Sequence, residues 1–285
     1  MSNEEKEFTK DSQLLRIQSK QKQRQEKKRR RRIKALRNWL KFFLLLLIGG
    51  LTYLLAILPQ WCLSLDAFDR VSNPSLEITN NRIVPSHKVL TALRRNPVPP
   101  EPIFMVKTGH LKESIMDLEP VQDVYIRRFW FPARLKIIII ERTPIITIAP
   151  EADVPAVAFF STDGKLIGRE YMPLDPSYNT WRILTYGTKD DYRTWDEVKV
   201  QKFKNIAQTV EKLSGEKVEY IDYKNPDDVY IKIQSVNIRL GKFSTTTMER
   251  LARIPSLLPQ VKMLNKKVKY IDLRWEKTNY IKLDE

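Results

Sequence analysis

The sequence has one cysteine, Cys62, and two histidines, His87 and His110, in 285 residues. A single thiol cannot form an intramolecular disulfide, and so few ligands exclude an ordinary Cys/His zinc site and argue against a histidine-based triad. The eight glycines form neither a dinucleotide-binding fingerprint nor a phosphate-binding loop. We therefore predict no metal, no cofactor and no small-molecule substrate.

Carboxylates are the remaining residues that could support catalysis, and they occur as the adjacent pairs Asp190-Asp191, Asp227-Asp228 and Asp284-Glu285. Glycoside hydrolysis needs two carboxyl groups that converge from different elements. Neighbours on an extended chain point in opposite directions instead. We therefore predict no catalytic residues and no enzyme activity. A membrane-tethered enzyme of cell-wall metabolism is the alternative.

Charge is absent from the run between Phe42 and Leu58, and uncharged residues continue as far as Leu65. Leucines fall on every face of a helix over this run, which lacks the amphipathic pattern of a buried helix in a soluble protein. About 20 apolar residues are enough to cross a bilayer. We predict one transmembrane helix, with its flanks, over residues 39–65. Its proposed membrane anchors are Trp39, Phe42, Phe43, Leu44, Leu47, Leu51, Leu54, Leu58 and Trp61.

Basic residues dominate the segment before this run. Residues 1–41 contain fifteen Lys or Arg and five Asp or Glu, which accounts for +10 of the formal charge of +16. By the positive-inside rule, residues 1–38 form a cytoplasmic tail and residues from 66 onward are exported. We expect the tail to contact anionic lipid headgroups. We expect no nucleic acid partner, because no helix-turn-helix, zinc or aromatic stacking pattern accompanies the charge.

Residues 66–148 follow the order strand, helix, helix, strand, strand. Alternating apolar residues predict a strand over Ser75–Thr79. Helical spacing predicts one helix from Pro85 and a second over residues 107–118. The isoleucine-rich run Leu135–Ile140 predicts the central strand of the sheet, because such a run at an exposed edge would aggregate.

Turn and helix signals continue in the second half of the chain. Asp163-Gly164 lies between two apolar pairs and predicts a hairpin. Apolar residues at helical spacing predict a helix over Asp196–Ser214. A further helix is predicted from Ser244, as its N-cap, toward Leu258, bent or shortened by Pro255.

A passage of seventeen residues occurs twice. Residues 217–233 align without gaps on residues 267–283, at an offset of 50, with eight identical positions. The repetition predicts a helix-strand-strand unit that is used twice within one sheet. Chance similarity between two amphipathic hairpins is the alternative.

These patterns resemble one known family. The spacing of Pro132, Leu135, Ile137, Ile139, Glu141, Arg142 and Pro144 is similar to the end of the POTRA domain of the bacterial FtsQ/DivIB cell-division family. Residues 270–274 resemble the family's C-terminal signature, and residues 238–241 resemble the strand end before its last helix. The likeness covers residues 42–283. One departure is the segment between Arg128 and Pro132, which looks about one residue longer than the family pattern.

The resemblance implies an α+β fold. A single N-terminal transmembrane helix would be followed by a POTRA domain (β-α-α-β-β, residues 66–148). A mixed α+β domain, the β domain, would occupy residues 149–285 and contain an extended antiparallel sheet. We interpret Glu141 and Arg142 as a structural ion pair near the junction of the two domains.

The resemblance also implies a function. The implied protein is a non-enzymatic scaffold of the division complex that crosses the cytoplasmic (inner) membrane once. It is located at the division septum, with its C-terminal domains outside the cytoplasm. Such a scaffold binds membrane proteins resembling FtsB and FtsL, and helps to localise and regulate septal peptidoglycan synthesis. A POTRA-type protein-translocation receptor is a further alternative, although no run of barrel strands follows.

The last predicted strand, residues 279–283, is followed only by two acidic residues, so its outer edge could accept a partner strand. Large aromatic residues dominate such interfaces, which makes Trp275 and Tyr280 the expected anchors. Packing within the sheet is their alternative role. The strand over residues 122–128 is a second candidate surface. The predicted partner-binding residues are Tyr270, Asp272, Arg274, Trp275, Tyr280, Ile281 and Leu283.

Overall fold

The computed structural model describes residues 27, 32–264, 267–275 and 278–284, so most of the predicted basic tail lies outside the described residues. The chain forms two compact units, Met1–Trp61 and Cys62–Glu285. The first contains helix α1 (Arg32–Ile57, 26 residues), which includes an 18-residue window of mean hydropathy 2.2 and is long and apolar enough to cross a membrane.

Helix α1 ends earlier than the apolar run. The predicted anchors Leu58 and Trp61 lie beyond its last residue, Ile57, and Pro59–Trp61 form a short 3-10 helix. Pro59 ends the α-helix because it has no N–H to donate to the carbonyl of Leu55. The indole Nε1 of Trp61 donates to that carbonyl instead, at 2.6 Å.

The second unit begins with a small lobe that has the predicted β-α-α-β-β order. Its sheet has the order β1-β3-β2, with β3 parallel to β1 and antiparallel to β2, so the isoleucine-rich strand is central as predicted. Leu135, Ile137 and Ile139 on one face of β3 are fully buried. The elements are β1 (Leu76–Thr79), α2 (Ser86–Leu93), α3 (Gly109–Met116), β2 (Val121–Phe129) and β3 (Arg134–Glu141).

The remaining strands form one sheet of the order β12-β11-β10-β9-β8-β7-β4-β5-β6. Its elements are β4 (Pro144–Ala149), β5 (Ala158–Ser161), β6 (Leu166–Ile167), β7 (Trp181–Leu184), α4 (Glu197–Ser214), β8 (Val218–Asp222), β9 (Val229–Ile233), β10 (Asn237–Gly241), α5 (Thr247–Leu251), α6 (Ile254–Met263), β11 (Val268–Asp272) and β12 (Tyr280–Leu283). The α+β class is confirmed. The sheet is mixed rather than wholly antiparallel, because helical crossovers join β7 to β8 and β10 to β11 in parallel.

The change from the small sheet to the large one occurs at two residues, Arg142 and Thr143. The boundary expected between residues 148 and 149 therefore falls inside β4. The ion pair predicted between Glu141 and Arg142 is wrong. The Glu141 carboxylate accepts hydrogen bonds from the backbone N–H groups of residues 82–84, while Arg142 forms a salt bridge with Asp163 of the predicted hairpin.

The hairpin and α4 form as predicted. β5 and β6 pair antiparallel around Asp163-Gly164. The Asp196 side chain caps α4 by accepting from the Lys199 N–H at 2.9 Å, and Gly215 ends the helix at a φ of 70°.

The last helix differs from its prediction. It is split into α5 and α6, and α6 continues to Met263 with Pro255 in its first turn, where proline is tolerated. Thr246, not Ser244, precedes α5. The Ser244 N–H donates to the Thr247 hydroxyl at 2.8 Å, so Ser244 belongs to the preceding turn.

The repeat is a structural repeat. Each of the four paired positions of β8 and β9 recurs fifty residues later in β11 and β12. The bulge after Val218 recurs after Val268. Each copy is also preceded by a parallel strand and its helical crossover, so the repeated unit is β-α-β-β. A shared register and a shared bulge exclude chance similarity between two hairpins.

Two glycines with positive φ provide a test of the packing of the hairpin against α4. A Cβ added to Gly164 (φ 74°) would lie 2.6 Å from the Glu197 Cα, whereas one added to Gly215 (φ 70°) would meet nothing within 4 Å. Gly215→Ala should lower the free energy of unfolding by about 1–2 kcal/mol, the cost of a left-handed alanine. Gly164→Ala should lower it further, because the start of α4 must also shift.

Urea unfolding of the full chain in detergent, followed by far-ultraviolet circular dichroism, measures both effects. Gly168→Ala is the control, because Gly168 has a φ of −78° and open space around it. We expect a change of less than about 1 kcal/mol for that variant. Equal losses for Gly164→Ala and Gly215→Ala would contradict the contact with Glu197.

Candidate partner-binding edge

Strand β12 forms one end of the nine-stranded sheet. β11 pairs with one of its sides, and no strand in the described part of the chain pairs with the other. The first copy of the repeat shows which kind of strand can occupy that side. β9, which corresponds to β12, is covered on that side by β10, which runs antiparallel to it. The second copy therefore has room for one further antiparallel strand.

The difference between the two copies is also seen in burial. Ile231 and Ile233 of β9 are fully buried. Their counterparts Ile281 and Leu283 in β12 are only half-buried, because no strand follows on their outer side among the described residues. A strand added to β12 would bury the rest of their apolar surface, which favours association.

The predicted partner-binding residues come together at this edge. Tyr270 and Asp272 lie on β11, and Arg274 and Trp275 lie in the turn that follows it. The three remaining residues, Tyr280, Ile281 and Leu283, lie on β12. Trp275 and Tyr280 are 55% and 56% exposed, as anchors for a partner must be, whereas Asp272 is 4% exposed and serves the structure of the edge.

Arg239 of β10 organises the face of the sheet beside this edge. Its guanidinium lies 5.4 Å from the ring centre of Tyr230 and 5.5 Å from that of Tyr270. It also forms two hydrogen bonds with the Asp228 carboxylate, at 2.8 and 2.6 Å. The planar guanidinium suits both contacts, because it stacks on aromatic rings and pairs with a carboxylate through two N–H groups.

Asp272 joins this group to the turn before β12. One carboxylate oxygen lies 3.8 Å from Arg239 Nη1, and both oxygens accept hydrogen bonds from the Arg274 guanidinium, at 2.9–3.1 Å. Gly241 permits this position of Arg274. A Cβ there would lie 2.9 Å from two carbons of the Arg274 side chain.

Hydrogen bonds and ion pairs keep Asp228, Arg239 and Arg274 in their charged forms. Hydrogen bonds from Arg239 hold the pKa of Asp228 below its usual range, and the same hydrogen bonds raise the pKa of Arg239. The hydrogen bonds to Asp272 raise the pKa of Arg274. Burial raises the pKa of the Tyr230 phenol. Asp228, Arg239, Arg274 and Tyr230 therefore do not exchange protons near neutral pH, and the first three act as fixed charges.

Arg253, at the break between α5 and α6, holds the turn that carries Trp275. Its guanidinium donates to the carbonyls of Leu273 and Trp275, at 3.2 and 2.8 Å, and to the Asn279 side chain at 2.9 Å. No sequence pattern indicates this role, because an arginine between two helical segments is common on protein surfaces. Arg239 lies in the 238–241 segment that carried the resemblance, but its contacts with the two tyrosines depend on strand pairing.

The second candidate surface lies elsewhere in the unit. β2 forms an edge of the three-stranded sheet, and Tyr125 within it is 53% exposed. In the part of the chain that the structure describes, no group of three or more His, Cys, Asp or Glu side chains is placed to hold a metal ion.

Residues 161–274 match the family model described as cell division protein FtsQ/DivIB, C-terminal. The match runs from the last residue of β5 to the turn after β11. It includes Arg239, Asp272 and Arg274, and it ends before β12. No curated protein sequence matches the chain.

The ion pair between Asp228 and Arg239 predicts a pH dependence of stability. Because the pKa of Asp228 is depressed in the folded state, its contribution is present above the pKa of an unfolded aspartate, about 3.9, and is lost as the pH falls through the lower folded value. When the pH is lowered from 5 to 3, the free energy of unfolding of the Asp228→Asn chain should therefore fall less than that of the unchanged chain.

Urea unfolding midpoints of the full chain across that pH range measure the difference. In an Arg239→Gln background, substitution of Asp228 should change the pH dependence much less, because the cause of the depressed pKa is gone. The same pH dependence with and without Asp228 would contradict the assignment.

Proposed function

Because the chain belongs to the FtsQ/DivIB family of cell-division proteins, we propose that it is a non-enzymatic scaffold of the division complex. It presents the open edge of β12 to other division proteins. The open edge, with exposed Trp275 on the turn that Arg253 holds and exposed Tyr280 on β12, is the observation that carries the proposal. We propose partners resembling FtsB and FtsL, as the sequence resemblance implies, and a role in locating and regulating septal peptidoglycan synthesis.

Strand addition is the binding mode that the repeat supports best. A partner strand would lie antiparallel to β12, in the position that β10 occupies beside β9. Its main chain would pair with the outer N–H and C=O groups of β12, which gives affinity with little dependence on sequence. Specificity would come from side-chain contacts with Trp275 and Tyr280. The contacts of Arg239 and Arg253 hold this surface in place before a partner arrives, which lowers the entropy lost on binding.

We also propose a single-pass topology with the tail in the cytoplasm and residues 62–285 outside it, at the division septum. The length and composition of α1 support a membrane span, and the basic tail supports the orientation. The β-α-α-β-β order of the small lobe supports its assignment as a POTRA domain.

Alanine substitutions at the edge test the binding surface. Trp275→Ala and Tyr280→Ala should each weaken binding of an FtsB-like partner at least about tenfold, because each removes an exposed aromatic anchor. The matched control is Tyr125→Ala, since Tyr125 has nearly the same exposure on the edge of the other sheet. Calorimetry with the full chain in detergent gives the affinities.

Removal of residues 276–285 should abolish binding, because β12 is lost. If that shortened chain is folded and still binds its partner, the interface lies elsewhere. Weaker binding for Tyr125→Ala, with Tyr280→Ala unchanged, would move the interface to β2.

The proposed topology predicts a distinct pattern of proteolysis. Protease added outside spheroplasts should digest residues 62–285 and leave a fluorescent tag on the N-terminal tail intact. The tag should gather at midcell in dividing cells. Protection of the large C-terminal portion would reverse the orientation, and an even distribution around the cell would contradict the septal location.

A further inference from the structure

Two loops of the small lobe expose apolar side chains side by side. Phe104 and Met105 belong to the loop between α2 and α3, Phe129 is the last residue of β2, and Trp130 and Phe131 belong to the turn that follows it. We call these five residues the apolar tip. The ring centres of Phe104 and Trp130 are 6.4 Å apart, so the two loops meet. Met105 and Trp130 are 59% and 63% exposed.

Buried residues and hydrogen bonds fix the two loops that carry the apolar tip. Ile103 and Val106, which flank the exposed pair of the first loop, are fully buried, and Ala133 anchors the second loop. Arg128 joins the loops, because its Nη1 donates to the carbonyls of Phe104 and Val106, at 3.2 and 2.9 Å. Because these contacts fix the backbone of both loops, the side chains of the tip are directed to the solvent.

Basic residues surround the apolar tip. Residues 101–107 and 127–134 contain four Lys or Arg and one acidic residue, Glu101. The basic side chains of Lys107, Arg127, Arg128 and Arg134 belong to exposed residues. The Arg134 guanidinium lies 5.3 Å from the ring centre of Phe129. Aromatic rings beside basic groups are typical of surfaces that bind at the boundary between lipid headgroups and acyl chains.

Chain connectivity limits how far the second unit can lie from the end of α1. The second unit begins at Cys62, five residues after the last residue of α1. Five residues span at most about 18 Å. Cys62 forms an antiparallel bridge with Pro102, two residues before the exposed pair of the first loop. The loop that carries Phe104 and Met105 is thus paired to the segment that leaves the membrane helix.

We propose that the apolar tip inserts into the headgroup region of the same bilayer that α1 crosses, with the surrounding basic side chains on anionic headgroups. The inference depends on α1 spanning a membrane and is independent of the division role. We favour lipid over a protein partner as the occupant, because aromatic rings and basic groups lie together on two loops and few residues separate the start of the second unit from α1. Insertion gives the second unit a second attachment to the membrane.

Spin labels on the full chain test the proposal. In a Cys62→Ser background, one label is attached at Met105→Cys and a control label at Val198→Cys, which replaces an exposed apolar residue of α4. The chains are placed in nanodiscs of phosphatidylcholine, alone or mixed equally with phosphatidylglycerol. Collisions with oxygen and with a water-soluble nickel complex are measured for each label.

We expect the label at 105 to lose collisions with the nickel complex and gain collisions with oxygen, while the label at 198 keeps the pattern of an aqueous site. The protection at 105 should increase with phosphatidylglycerol, because the basic residues attract anionic lipid. Trp130→Glu should restore access of the nickel complex to the label at 105 and leave the label at 198 unchanged.

Equal access of the nickel complex at 105 and 198 in both lipids would overturn the proposal. Protection at 105 that grows with the protein-to-lipid ratio would also overturn it, because that result indicates contact between copies of the chain. Loss of the control pattern at 198 in the Trp130→Glu chain would show misfolding, and Met105→Cys with Phe129→Glu then repeats the test from a second position of the tip.

Discussion

Backbone hydrogen bonding across neighbouring strands is the constraint on which the large sheet depends. Every N–H and C=O group in a sheet needs a partner, and an edge strand presents a row of groups that only water or another chain can satisfy. Here a β-α-β-β unit occurs twice. β10, the first strand of the second copy, closes the edge of the first, and the second copy has no successor among the described residues. The same duplication that builds the sheet thus leaves it with a place for a strand from another molecule.

A guanidinium beside two tyrosine rings stabilises the sheet near this open edge. Arg239 lies beside Tyr230 of β9 and Tyr270 of β11, which are forty residues apart in sequence and whose ring centres are 5.9 Å apart. Its pairing with Asp228 keeps the cation next to the rings, where cation–π attraction contributes about 0.5–2 kcal/mol depending on exposure. The arrangement joins three strands through side chains as well as through their backbones. A surface fixed in this way would lose little conformational entropy if a partner bound to it.

Local patterns predicted the elements well and their mutual contacts poorly. The uncharged run, the isoleucine-rich strand and the fifty-residue repeat each depend on residues close in sequence, and each corresponds to an observed element. The errors come from interactions over longer distances or from details of helix ends. Pro59 ends α1 before the apolar run does, and the carboxylate of Glu141 binds a loop almost sixty residues away instead of its neighbour. The aromatic anchors could be proposed from sequence, whereas Arg239 gains its role only through strand pairing and Arg253 only through its hydrogen bonds to the turn after β11.

The two lobes of the second unit share hydrophobic cores across one strand. Phe159 and Phe160 are adjacent in β5 and point to opposite faces, so Phe159 packs in the core of the small lobe and Phe160 in that of the large one. Strand β5 therefore contributes to the cores of both lobes. Rotation of one lobe against the other at β5 would open a cavity in each core. Mechanically, the two lobes should therefore move together, because bending at β5 would expose buried side chains on both of its faces.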